Sequence, residues 1–510
     1  MNFVWTSVTL VLPLALLIIL SNVVNNRRRR LPPGPAAVPL LGNLAWLTIT
    51  DGQQFMATLR SFHARYGPVI ALRFGSTLEV SVADRRLAHT ALVQLGAAVA
   101  DRPLLASHDL LGHNSAFTIT SSNYGALWRL LRRNLVAEMA RLRLFAAERE
   151  RALADLTHRL GCRKQGDEAI MDMFQHAMFC IFVSMCFGQS VDEHAVRDIT
   201  AALRQLMLYS TTELNVFVFV PAITTRVFGG RRRAMDAMRS RLKDLYLPLI
   251  DARRRRRLLQ EAGAGNDDDT MFPHSYVDAL LDIRLNHDGG RGLTDDEISA
   301  LCSEFLSGGT DLPSSALQWT MAELVKNPAI QDKLYREIRA VTGGDKVSEE
   351  DLQRMPYLKA VVLESLRRHP PGHQLVPHAA AADVELGGYV IPKGATVNFL
   401  AVDFGLDEVV WERPMDFVPE RFMPGGHGEA VDVTGTREIK MMPFGAGRRI
   451  CPGLAVATLH LEYFVANLVN TFEWQEVEGM EVDVIAERFD FSAVMKKPFE
   501  VNLVARAEKC

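Results

Sequence analysis

The sequence predicts a mainly α fold: a large helical globule with a small β region near the N-terminal end, preceded by one N-terminal transmembrane helix. Three observations carry this. From Asp84 onward, apolar residues recur at helical spacing through most of the chain. Ahead of that, Gly67–Gly75 and Leu78–Val82 alternate as two short strands around Ser76-Thr77. Val4–Val24 is a mostly apolar run of about the length a membrane helix needs, and Arg27–Arg30 follow at once.

The apolar run is read as an uncleaved anchor. A cleavable signal peptide would carry its charges before the apolar core and small residues at a cut site, and neither is present. Pro13 within the run is tolerated in a spanning helix. The four arginines place everything after them on the cytosolic side. Leu31-Pro32-Pro33-Gly34-Pro35 then enforces stiff, extended backbone. The expected organisation is an anchor over 1–26, a basic and proline-rich hinge over 27–43, and one catalytic domain over 44–510.

Helices are expected near 126–140, 145–160, 170–187, 193–210, 232–258, 295–326, 328–341 and 356–369, with strands around Val384–Val390 and Thr396–Phe399. Leu258–Ser275, with three consecutive aspartates, reads as a surface loop, and Pro424–Gly428 as a glycine-rich one. The 510 residues are 48% hydrophobic, ample for a large core, and the net charge of −3 gives no global signal for nucleic acid. No internal repeat divides the chain. Cys162, Cys180, Cys186, Cys302, Cys451 and Cys510 show no CxxC spacing, which fits a reducing compartment without structural disulfides.

The chemistry concentrates in Phe444-Gly445-Ala446-Gly447-Arg448-Arg449-Ile450-Cys451-Pro452-Gly453, just before the apolar run Leu454–Phe472. The glycines allow tight turns and close approach of something flat. Pro452 suits a helix start, so Cys451 is expected at a helix N-terminus, where a lowered thiol pKa and metal ligation follow. Arg449 supplies positive charge for an acidic group of the same ligand.

The pattern Phe-x-x-Gly-x-Arg-x-Cys-x-Gly resembles the haem-binding loop of the cytochrome P450 family at every fixed position, and the resemblance covers essentially the whole chain. Around Glu438–Pro443 and His460–Phe464 the wording is closest to the plant microsomal group numbered eighty-nine. The resemblance implies haem b (iron protoporphyrin IX) with Cys451 as the axial iron ligand and Phe444 beside it. It implies Trp128, Arg132, His378 and Arg449 as contacts to the haem carboxylates. Glu364 and Arg367, three apart on a helix, together with Arg421 of Pro419-Glu420-Arg421-Phe422, resemble the family's buried charge network that holds the Cys loop.

On the oxygen side, Ser307-Gly308-Gly309-Thr310-Asp311-Leu312-Pro313-Ser314-Ser315 resembles the family's central-helix motif, whose glycines thin the helix for dioxygen and whose acid and alcohol relay protons. Gly308, Gly309 and Asp311 match. Leu312 stands where the family has threonine, and Pro313 removes the backbone bond to the Gly309 carbonyl. Asp311 and Thr310 are the catalytic candidates, with Ser314 a further alcohol.

No flavin or nicotinamide signature is found, so electrons are expected from an NADPH-dependent flavoprotein reductase, with Lys440 and Arg448 among the docking charges. The expected function is monooxygenation of an apolar small molecule at the endoplasmic reticulum membrane. Two rivals are a haem-thiolate isomerase or dehydratase acting on a peroxide, which Leu312 favours and the anchor opposes, and a non-catalytic haem protein. The loops expected to line the pocket, near 104–120, 209–228, 374–377 and 492–496, are apolar and name no substrate.

Overall fold

A computed structural model of the chain describes residues 30–506 except 39–41, 44–51, 76, 104–116, 165–167, 189–190, 214–216, 218–223, 225, 262–272, 286–287 and 490. The apolar run Val4–Val24 and much of the first two pocket loops lie outside the described residues. The stretch after Arg30 is extended, as its prolines dictate, and it docks on the globule. Pro33 accepts from the Ala71 N–H at 2.8 Å, and Arg30 accepts from the Val390 N–H at 2.9 Å.

In chain order the first helices are α1 (Gly52–Tyr66), α2 (Arg85–His89), α3 (Ala126–Met139), α4 (Ala146–Cys162), α5 (Ile170–Phe187) and α6 (Glu193–Thr212). They continue with α7 (Gly229–Glu261), α8 (Tyr276–Leu281), α9 (Asp295–Lys326), α10 (Pro328–Thr342), α11 (Pro356–Arg368), α12 (Ala401–Gly405) and α13 (Leu454–Thr471). The eight long helices expected from periodicity are present, and α1 is an addition that the sequence reading omitted.

The central element is α9. Thr294 caps it by accepting from the Glu297 N–H while Glu297 bonds back to Thr294, and Asp295, Asp296 and Glu297 place negative charge at its N-terminus. Against it packs α5, the one helix among the described residues long and apolar enough to cross a membrane. With 72% of its apolar window buried, α5 is a helix of the core.

Strands β1 (Val69–Phe74) and β2 (Thr77–Val82) form the expected hairpin; β3 (His378–Ala379), β4 (Val384–Leu386), β5 (Tyr389–Ile391) and β6 (Thr396–Phe399) follow. Four of them, β1, β2, β6 and β3 in that order, build one sheet in which β2 runs parallel to β6. This sheet holds His378 beside Val397. The expected single strand over 384–390 is instead the separate hairpin β4–β5, because Gly387 and Gly388 turn at φ of 60° and 83°. Near the C-terminus lie two more antiparallel pairs, β7 (Phe472–Glu476) with β10 (Val501–Ala505) and β8 (Glu487–Phe489) with β9 (Ala493–Met495). The β structure is therefore not confined to the N-terminal end.

Candidate haem-thiolate site

The Cys loop is shaped by backbone. The Cys451 N–H donates to the Phe444 carbonyl at 2.8 Å, closing the turn. Gly447 sits at φ 68°, and a Cβ there would stand 1.9 Å from the Leu92 carbonyl oxygen. Only glycine lets the loop press so close to the turn at Thr90–Gln94. Helix α13 begins at Leu454 with Gly453 as its cap, so Cys451 lies just outside the helix.

The expected lowering of the thiol pKa is not what this arrangement gives. Burial pushes the Cys451 thiol up, and the Gly453 N–H and Arg132 offset that only in part. A coordinated metal ion deprotonates a thiol outright, which removes the difficulty.

Around the loop the fold gathers three buried or half-buried arginines. Arg132 on α3 donates to the Ile450 carbonyl. Arg449 donates to Ala100 at 2.7 Å, Ile119 at 2.9 Å and Ser122 at 2.5 Å. Arg102 donates to Thr120 at 2.6 Å, Val376 at 2.8 Å and Pro377 at 2.7 Å. Burial draws Arg102 down to about 9 and Arg449 to about 10, so both remain cationic at neutral pH. Arg102 escaped the sequence reading, since Asp101-Arg102-Pro103 carries no spacing that marks it.

The other expected contacts lie in the same place with different bonding. Trp128 on α3 is buried, and its N–H donates to the Ile119 carbonyl at 3.2 Å. His378 bonds through Nδ1 to the Val99 carbonyl at 2.9 Å. Burial and the nearby Arg102 hold His378 down to about 3, so its ring is neutral and Nε2 offers an acceptor. Phe444 is half-buried beside the main core.

The charge network is fully formed. Arg367 meets Glu364 through two bonds of 2.7 and 2.9 Å, and Arg421 meets the same carboxylate at 3.2 Å. Glu364 also accepts the Val418 N–H at 2.8 Å, while Arg367 donates to Gly405 and Pro414. All three side chains are buried, which is tolerable because each is paired. Lys440 is ion-paired to Glu438 at 3.5 Å, and Arg448 donates to the Tyr124 hydroxyl at 2.7 Å.

On α9 the two glycines do different things. A Cβ on Gly308 would meet nothing within 4 Å, whereas one on Gly309 would stand 2.3 Å from the Phe182 ring of α5. Gly308 thus opens space, with Leu312 one turn on; Gly309 admits a neighbouring helix. Thr310 lies two residues, about 200°, round the helix from Gly308. It is buried, and its hydroxyl donates to the Leu306 carbonyl at 2.7 Å. Ser314 likewise donates to the Thr310 carbonyl at 2.6 Å. Both alcohols are therefore spent within the helix, away from the Gly308 face. Asp311 accepts from Gln175 at 2.8 Å and lines a cavity of about 250 Å³ with Arg204 and Gln318. Burial raises its carboxyl above the usual range, Arg204 and Gln175 opposing.

Among the described residues no group of three or more His, Cys, Asp or Glu side chains is placed to hold a bare metal ion. A lone thiolate suits a metal that another ligand already holds. The surrounding cations suit a ligand bearing carboxylates. The open space at Gly308 on α9 is free of side chains. The residues present fit an iron porphyrin.

Comparison with known proteins agrees. The family profile "Cytochrome P450" matches residues 32–503. Cytochrome P450 89A9 of Arabidopsis thaliana is 41% identical over 493 residues, 94% of each chain. The flavonoid 3'-monooxygenase of the same plant is 32% identical, covering 92% of this chain and 91% of that one. A zebra fish cytochrome P450 solved with progesterone shares the fold at a TM-score of 0.70 and 22% identity, over 90% of this chain and all of that one. A mainly helical fold, a cysteine loop with its buried charge network, and relatives along the whole length converge: the chain belongs to the cytochrome P450 family of haem-dependent monooxygenases.

Proposed function

We propose that this chain uses electrons from an NADPH-dependent flavoprotein reductase to insert one oxygen atom of O₂ into a largely apolar small molecule, working at the endoplasmic reticulum with its catalytic domain in the cytosol. The observation that carries the reading is the convergence of half-buried Cys451 with Arg102, Arg132 and Arg449. Cys451 would ligate the haem iron, and the arginines, which keep N–H groups beyond those given to backbone carbonyls, would hold the haem carboxylates, with Trp128 packed beside them. Bound there, the haem supplies the oxygen chemistry.

The chain's own residues bind, orient and move protons. Glu364, Arg367 and Arg421 keep the Cys loop in place. Asp311, held by Gln175 in its cavity, is the acid through which protons pass from solvent toward α9. Leu312 supplies no proton, so water must bridge the remaining distance. Val4–Val24 anchors the protein, and Arg27–Arg30 keep the domain cytosolic. Relatives at 32% identity include a flavonoid monooxygenase and ent-cassadiene C11-alpha-hydroxylase 1, which supports small-molecule acceptors without selecting one.

Carbon monoxide added to the reduced protein should give the red-shifted Soret band of thiolate ligation, and Cys451→Ser should abolish it. Survival of the band in that variant would refute the ligand assignment. NADPH consumption that requires added reductase would support the electron route, and turnover without reductase would oppose it. Protease added to sealed microsomes should digest the domain; full protection would place it in the lumen.

A further inference from the structure

Glu304 stands one turn before Gly308 and two before Leu312, so the three share one face of α9. That face borders the open space at Gly308. The Glu304 carboxylate leaves α9 altogether: one oxygen accepts the Ile119 N–H at 2.8 Å, the other the Thr120 N–H at 2.5 Å. Burial raises its carboxyl above the usual range, and the Thr120 hydroxyl, those two amides and Arg102 oppose the rise.

The same short segment turns its carbonyls the other way. Ile119 accepts from Arg449 and Trp128, Thr120 from Arg102, and Ser122 from Arg449. Residues 117–122 are therefore a strap, with amides on the carboxylate of α9 and carbonyls on the cationic cluster. Asp101 and Glu304 are the carboxylates that act on Arg449, and Glu304 acts on Arg132 and Arg102 as well.

We propose that Glu304 is a positioning residue: it clamps the 117–122 strap to α9, and through the strap's carbonyls it aims Arg449 and Arg102 at the haem carboxylates. Two amides on one carboxylate are charge-assisted bonds, the stronger kind. Nothing else on α9 holds this strap by hydrogen bonds among the described residues. The clamp needs no haem. Its effect on haem retention rests on the reading of the arginines given above.

Hydrogen exchange and haem retention test the two parts separately. Glu304→Ala should speed exchange over 117–122 by about tenfold or more, the scale set by losing charged hydrogen bonds. Glu304→Gln keeps the shape and one acceptor oxygen, so it should fold and fall between. Acetate should restore protection in Glu304→Ala, where a carboxylate fits the vacated space, and not in Glu304→Gln. Transfer of haem from the loaded variants to an apo-globin acceptor should quicken in the same order. Unchanged exchange over 117–122 in both variants would overturn the clamp. Faster exchange with unchanged haem transfer would overturn the link from strap to arginines, while leaving thiolate ligation, read by the carbon monoxide band, as a separate question.

Discussion

The Phe182 ring occupies the space that a side chain at Gly309 would fill, 2.3 Å from where its Cβ would stand. The contact joins α5 to α9 at the core of the globule. Gly309→Ala should force the helices apart and cost ~1–3 kcal/mol, the usual scale of overpacking. Gly308→Ala meets no atom and should cost nothing sterically; helix propensity alone favours it by about 1 kcal/mol. Denaturant unfolding of both variants decides, and equal stability of the two would show that the ring yields freely.

Glu364 carries two buried guanidinium partners, so removing it strands both. Glu364→Ala should destabilise the protein by ~3–5 kcal/mol, as breaking a buried pair does. Most of the folded, haem-retaining protein should be lost, measured by unfolding and by haem content. A loss below about 1 kcal/mol would mean that the carbonyls around Arg367 and Arg421 suffice.

His460 on α13 is fully buried, and neither ring nitrogen has a protein partner among the described residues. Burial, helped by Arg149, holds it down to about 3 against an ordinary 6.5. Between those values the unfolded chain binds a proton that the folded chain refuses. Stability tied to this group is whole above about 6.5 and falls as the pH drops toward 3, by up to ~1.36 kcal/mol per pH unit. His460→Leu should flatten that slope and add ~1–3 kcal/mol at neutral pH. An unchanged pH profile of unfolding would refute it.

Leu312 shares the Gly308 face, while the hydroxyls of Thr310 and Ser314 are engaged inside the helix. Proton supply at that face should be poor, and much of the reducing power should leave as hydrogen peroxide. Leu312→Thr with Pro313→Thr should raise product formed per NADPH, with a general acid–base contribution of ~10²–10⁴-fold as the ceiling. Tight coupling in the wild type, unchanged by the double substitution, would show that Asp311 and water already suffice.

What could be read from the sequence was local. The Cys loop is contiguous, and each long helix announces itself by periodicity, as does the Glu364–Arg367 pair by spacing. Helix α1 had such a signal in Phe55, Leu59 and Phe62, which the reading passed over. Hydrogen-bond direction was not legible. Thr310 and Asp311 are neighbours, yet one bonds back to Leu306 and the other reaches Gln175, 136 residues away. The same holds for Glu304, whose partners are 184 and 185 residues distant. Pairings across such separations depend on packing that no short motif encodes.

The carbonyls that hold Arg449 come from residues 349, 330 and 327 positions earlier in the chain. Closing loops of that length costs little more than closing shorter ones, since the entropy grows only as the logarithm of length. The delay is in synthesis. In the growing polypeptide, Arg102, Trp128 and Arg132 are made long before Arg449 and Cys451, which follow only after the helices and sheets between them. A growing chain that has not yet reached Phe444 has one half of the cradle without the other, so haem capture should wait on the second half. Stalled chains ending before Phe444 should bind no haem, and released full-length chains should acquire it without further synthesis.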